Sequence, residues 1–91
     1  MSNYTSPLHY DVATLLRECG YQGREMTYGA ALDWLAAQKG VLLWIEFRWP
    51  RYYFARALLP GKRIAHYIAD WHSWTAAADV GIEWVLNEIR K

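Results

Sequence analysis

The chain predicts an α+β domain with the order α-α-β-β-β-α: a three-stranded antiparallel meander with helices packed on one face. Three observations carry this. Apolar residues recur at helical spacing as far as about Lys39 and again from about Ser73. Between Val41 and Ala69 the period falls to two. The breaks inside that stretch, Trp49-Pro50-Arg51-Tyr52 and Pro60-Gly61, are short, and short connections favour antiparallel neighbours.

Each element has its own signals. Ser6-Pro7 predicts a helix start, with Ser6 as N-cap and Pro7 in the first helical position. Leu8, Val12, Leu15, Leu16 and Cys19 form its apolar stripe, Asp11, Arg17 and Glu18 its wet face, and Gly20 its stop. Thr27 caps a second helix that runs to about Lys39 and ends at Gly40. Tyr28, Ala31, Leu32, Trp34 and Leu35 supply its apolar side, and its alanines raise helix propensity.

In the first strand Val41, Leu43, Ile45, Phe47 and Trp49 point one way, and this purely apolar set is expected to face the core. Leu42, Trp44, Glu46 and Arg48 point the other way. The second strand, Tyr52 to Leu59, divides into a Tyr52, Phe54, Arg56, Leu58 set and a Tyr53, Ala55, Ala57, Leu59 set, and either could face inward. The Tyr53 set is the one expected outward, which leaves Arg56 inward or at an edge. A one-residue slip would exchange the two sets. The third strand is expected over Arg63 to Ala69. A final helix spans about Ser73 to Ile89, capped by Ser73 or Asp70, with Gly81 beside Ala77 and Ala78 allowing close approach to the sheet.

The totals bound the function classes. A chain of 91 residues is one domain, and its 54% hydrophobic and 16% aromatic content argues against disorder. Six tryptophans are hard to bury completely in so short a chain. A net charge of +1 gives no global argument for nucleic acid. One cysteine excludes an intrachain disulfide and fits a reducing cytoplasm. The N-terminus has no signal-peptide pattern, and the longest apolar run, Val41 to Ile45, is too short to span a bilayer. A cytoplasmic protein without membrane contact is expected.

No residues carry a catalytic signature. His66, Asp70, His72 and Ser73 are the densest polar cluster, but their spacing fits no standard metal-ligand pattern and crosses a strand-to-helix junction. Sequence neighbours do not supply the converging elements of a hydrolytic triad. Cys19 lies on an apolar stripe, as a small buried hydrophobe would. The expectation is no enzyme, no metal and no cofactor.

The feature that stands out is aromatic and basic residues side by side from Trp44 to Tyr67. Trp44, Phe47, Trp49, Tyr52, Tyr53, Phe54 and Tyr67 interleave with Arg48, Arg51, Arg56, Lys62 and Arg63, and no acidic residue falls between Glu46 and Asp70. Trp, Tyr and Arg dominate the energetics of protein interfaces. Rings with cations also suit nucleic acid. The expected binding residues are Trp44, Arg48, Arg51, Tyr53, Arg56, Lys62 and Arg63. The leading partner is another protein or a second copy of the chain, and the alternative is nucleic acid on the same surface.

Two resemblances accompany this reading. From Met26 to Lys91 the order of one helix, three strands and one helix is similar to the double-stranded-RNA-binding domain. That family opens its last helix with a lysine-rich motif, whereas His72-Ser73-Trp74-Thr75-Ala76-Ala77-Ala78 contains no lysine. The resemblance therefore implies the topology and not the RNA-binding role. Separately, Met26-Thr27-Tyr28-Gly29-Ala30-Ala31-Leu32-Asp33-Trp34-Leu35, together with Trp74-Thr75-Ala76-Ala77-Ala78-Asp79-Val80-Gly81-Ile82 and Val85-Leu86, resembles small uncharacterised proteins of bacterial prophages and mobile elements. That likeness implies a cytoplasmic protein and brings no catalytic residues.

Overall fold

The central strand of the sheet is β2 (Tyr52–Leu58), paired antiparallel with β1 (Leu42–Arg48) on one side and β3 (His66–Trp71) on the other. Helices α1 (Tyr10–Glu18), α2 (Tyr28–Lys39) and α3 (Trp74–Ile89), with a short 3₁₀ turn at Asn3–Thr5, complete the predicted α-α-β-β-β-α order. The computed structural model describes residues 3–50 and 52–91, and within β3 the side chains of Ala69 and Asp70 lie outside the description. Arg51, which the sequence places in the binding surface, also lies outside the described residues.

The predicted caps hold for two helices. The Thr27 hydroxyl accepts from the Ala30 amide at 3.2 Å, and Gly40 closes α2 in the left-handed region at φ 66°. The Ser73 hydroxyl accepts from the Ala76 amide at 3.1 Å and opens α3.

The start of α1 is a correction: His9 caps it and the helix begins at Tyr10, not Pro7. The Leu8 amide donates to the Met26 carbonyl at 2.8 Å, and the Tyr28 amide donates to the Ser6 carbonyl at 3.2 Å. Pro7 thus forms an antiparallel bridge with Thr27. Two main-chain bonds to the strand-like entry of α2 hold this segment extended, where an early helical turn would leave its first amides without partners. β3 is a second correction, since it begins at His66 instead of Arg63 and continues to Trp71. A turn through Gly61 (φ 76°), closed by the Lys62 amide on the Leu59 carbonyl at 3.1 Å, takes up the intervening residues.

The core lies between the sheet and the helices. Leu16, Leu35, Val41, Ile82, Val85 and Leu86 are fully buried, against Leu43, Ala55, Ala57 and Ile68 of the sheet. Gly81 sets the spacing. A Cβ built on it would lie 2.8 Å from the Ala55 Cβ and 3.2 Å from Leu43 Cδ1, so α3 rests on β2 at a distance only glycine permits.

That contact decides which face of β2 is inward. Ala55 and Ala57 lie under α3, so Tyr53, in alternation with them, shares the helix-bearing face and not the open one. Arg56 takes the open face instead. The expectation for the first strand is corrected at one end. Leu43 is buried and Ile45 half-buried, but Phe47 and Trp49 are 55% and 83% exposed. The apolar stripe of β1 runs on past the area that the helices cover. Among the described residues no helix is long and apolar enough to cross a membrane.

Candidate interaction surface

The face of the sheet opposite the helices carries Trp44, Glu46 and Arg48 from β1, Tyr52, Phe54 and Arg56 from β2, and Tyr67 from β3. The register sets Trp44 opposite Arg56, Glu46 opposite Phe54, Arg48 opposite Tyr52 and Arg56 opposite Tyr67. No helix covers this face, yet Phe54 is only 5% exposed.

Its cover is made of cations and a second ring. The Tyr67 ring lies 5.0 Å from that of Phe54 at an interplanar angle of 34°. The Arg48 guanidinium sits 4.9 Å from the Phe54 centroid and 5.4 Å from that of Tyr67. The Arg56 guanidinium sits 5.3 Å from the Phe54 centroid. Each such contact is a cation–π attraction, and together with Tyr67 these contacts shield Phe54 from solvent. Glu46 Oε2 lies 3.0 Å from Arg56 Nε. That nitrogen is shut off from solvent and makes no directed hydrogen bond, so the contact is ionic.

At the β1–β2 end the sheet presents further rings. Phe47 packs on Tyr53 at 5.1 Å and Tyr52 on His72 at 5.5 Å, while Trp71 pairs with Tyr53 across the strands. Phe47, Trp49, Tyr52 and Trp71 are all exposed there. An exposed cluster of large rings is a feature of binding sites and not of ordinary surface.

The predicted binding residues therefore separate. Trp44, Arg48 and Arg56 meet on the open face. Tyr53 belongs to the other face, next to Phe47. Lys62 and Arg63 lie in the β2–β3 loop with the exposed Ile64, lining a shallow pocket of about 380 Å³ with Ala65 and His66. β2 runs between that loop and the ring cluster, and its seven residues separate them by roughly 20 Å. The sequence expectation puts Phe47 and Trp49 in the core and gives Trp71 no role; Tyr67 belongs to its aromatic-basic stretch but not to its expected binding residues. The signal for Phe47 and Trp49 was the turn at Pro50, since rings flanking a hairpin turn project beyond the layer above.

His66 and His72 do not converge. His66 stacks on Trp84 of α3 at 4.9 Å, on the helix side, whereas His72 lies against Tyr52. Among the described residues no group of three His, Cys, Asp or Glu side chains could hold a metal. Cys19 is half-buried against the core, and burial pushes its thiol pKa up, with the Arg90 charge working against that rise. A raised pKa disfavours the thiolate, which is the nucleophilic form.

Charge is also segregated. A groove of about 420 Å³ between α1 and α3 is lined by Asp11, Glu18 and Glu83 with Tyr10, Thr14, Leu15 and Asn87, whereas Arg48, Arg56, Lys62 and Arg63 belong to the sheet and its loop. No family model, curated protein or solved structure matches the chain.

Proposed function

We propose that this protein is a non-catalytic interaction module that binds another protein through the open sheet face and the adjoining ring cluster. The observation that carries the reading is the adjacency of stacked arginines and exposed rings. The Arg48 and Arg56 guanidinium groups lie 4.9 and 5.3 Å from the Phe54 centroid, and one end of the same sheet carries the exposed Phe47, Trp49, Tyr52 and Trp71. A guanidinium already held over a ring loses little further freedom on binding. Rigid rings supply contact area at low entropic cost. The partner that fits presents carboxylates flanked by apolar side chains, and the single cysteine is in keeping with a cytoplasmic setting.

Nucleic acid is the second reading, on the same basic-aromatic surface. Two observations weigh against it. Glu46 already partners Arg56, and the Phe54 and Tyr67 rings lie against the protein's own arginines instead of offering those faces to bases. A photoreactive residue at Trp49 is expected to cross-link a protein in host cells, and one at Gln38 on α2 is not. Cross-linking confined to nucleic acid, or binding of random oligonucleotides that weakens steeply between low and moderate salt, would replace the first reading with the second.

A further inference from the structure

We infer that the outer edge of β1 pairs antiparallel with β1 of a second copy of this chain, about a two-fold axis through Phe47. β1 and β3 are the two edges of the sheet. The pairing of β3 with β2 is interrupted by a bulge between Tyr53 and Ala55, an irregularity that discourages edge-to-edge pairing. β1 has no such interruption. It pairs with β2 through seven consecutive residues and contains no proline. From Leu42 to Phe47 its main chain makes hydrogen bonds, among the described residues, to no element but β2.

The side chains select the register. An antiparallel partner that keeps both helix layers on one side must place the axis on a residue. An axis on Glu46 would set that carboxylate against its own copy, and an axis on Arg48 would do the same for two guanidinium groups. An axis on Phe47 sets Glu46 opposite the partner's Arg48, and Arg48 opposite the partner's Glu46, on the open face. On the other face it sets Phe47 against its copy and Trp49 against the partner's Ile45. These are the rings that the helices leave uncovered, at 55% and 83% exposure. An axis on Ile45 would leave Trp49 outside. It would also bring the partner towards the half of β1 where α2 packs, around the groove lined by Leu32, Asp33 and Ala36 with Leu42, Leu43 and Trp44.

The size of the contact sets its strength. The two exposed rings contribute on the order of 300 Å² per chain. A standard stable complex buries about 800 Å² per partner. A contact below the standard size falls in the weak, transient class. The dimer joins two three-stranded sheets into one of six strands and leaves Arg56 and Tyr67 on the open face. It takes up Arg48, Phe47 and Trp49 of the partner surface proposed above, so a second copy and a partner protein compete for them.

Sedimentation velocity on the purified chain between about 5 and about 500 μM tests the pairing. The wild type should pass from monomer to dimer over this range, with outward amides in residues 45–49 gaining hydrogen-exchange protection as the dimer forms. Phe47→Lys, at an exposed position, should keep the fold and weaken the dimer by at least about tenfold. Glu46→Arg and Arg48→Glu should each be monomeric alone and should form a heterodimer when mixed, because the reversed charges then face each other. A wild type that stays monomeric throughout overturns the inference. So does a dimer indifferent to Phe47→Lys, or two folded charge variants that fail to associate on mixing.

Discussion

Tyr28 and Asp79, 51 positions apart, share a 2.6 Å hydrogen bond in which the phenol donates to Oδ1 and ties the start of α2 to the middle of α3. The Tyr28 ring also meets Trp74 edge-on at 5.5 Å, and Trp74 meets Tyr4 in the same manner at 5.5 Å. The residue that follows the Thr27 cap thus anchors the far helix, and the extended bridge between Pro7 and Thr27 brings the N-terminal segment to the same point.

Removal of this bond should be visible in both magnitude and pH dependence. Tyr28 is 3% exposed, and burial is the main cause that pushes its hydroxyl pKa well above the ordinary tyrosine value. The Asp79 hydrogen bond and charge act in the same direction, and the His9 backbone amide acts against them. Because the folded state holds the proton more tightly than the unfolded chain, this stabilisation is complete below about pH 10 and is lost as pH rises beyond it. Tyr28→Phe should cost about 1.5–3 kcal/mol at pH 7 by urea unfolding, the range for a hydrogen bond to a charged group. It should also flatten the alkaline loss of stability. The half-buried Cys19 thiol is shifted in the same direction, so the comparison belongs in a Cys19→Ala background.

Gly81→Ala provides a test in which two principles oppose each other. Helix propensity favours alanine by about 1 kcal/mol. The added methyl, however, would meet the Ala55 Cβ at 2.8 Å, and that atom is fixed to the strand backbone and cannot swing away. Overpacking of this kind costs about 1–3 kcal/mol, so the variant should be less stable than the wild type despite its better helix former. Ala55→Gly in the same chain should recover part of the loss, which separates the steric contact from any effect confined to the helix.

The same glycine explains how much of the fold was legible in the sequence. The cap residues Thr27 and Ser73, the stops Gly20 and Gly40 and the change of period at Val41 act locally, and a local signal can be read from neighbours in the chain. The facing of β2 is not local. Tyr53-Ala55-Ala57 and Tyr52-Phe54-Arg56 are equally good alternations, and only the approach of Gly81 with Ala77 and Ala78 selects the alanine set for the inside. Composition supplied both halves of that match, but not the fact that they meet. The α1 start failed for a related reason: Ser6-Pro7 is a sound local cap, and a bridge to Thr27, twenty positions away, overrides it. In the candidate site the alternation of β1 puts Trp44 and Arg48 on one face, whereas the open-face position of Arg56 and the burial of Phe54 beneath the arginines have no local signal. That burial depends on side chains from all three strands crossing the sheet at once.

The arginine cover over Phe54 makes a prediction that distinguishes stacking from charge pairing. Phe54→Ala should cost about 3 kcal/mol or slightly more, at the low end for a buried phenylalanine because flexible arginine stems can settle into the space. In a double-mutant cycle of Phe54→Leu with Arg48→Met, the two positions should couple by about 0.5–1 kcal/mol, the range of a cation–π contact near the surface. The Arg56–Glu46 pair has side chains that are each 42% exposed, so a cycle between those two should give less than about 1 kcal/mol and should fade as salt is raised. The Phe54–Arg48 coupling should persist in the same salt, because it rests on contact with a buried ring and less on screened charge. If both couplings faded together, the arginines would hold their places by ionic contacts alone. Phe54 would then owe its burial to Tyr67, and Arg48 would be free to leave the ring when a partner binds.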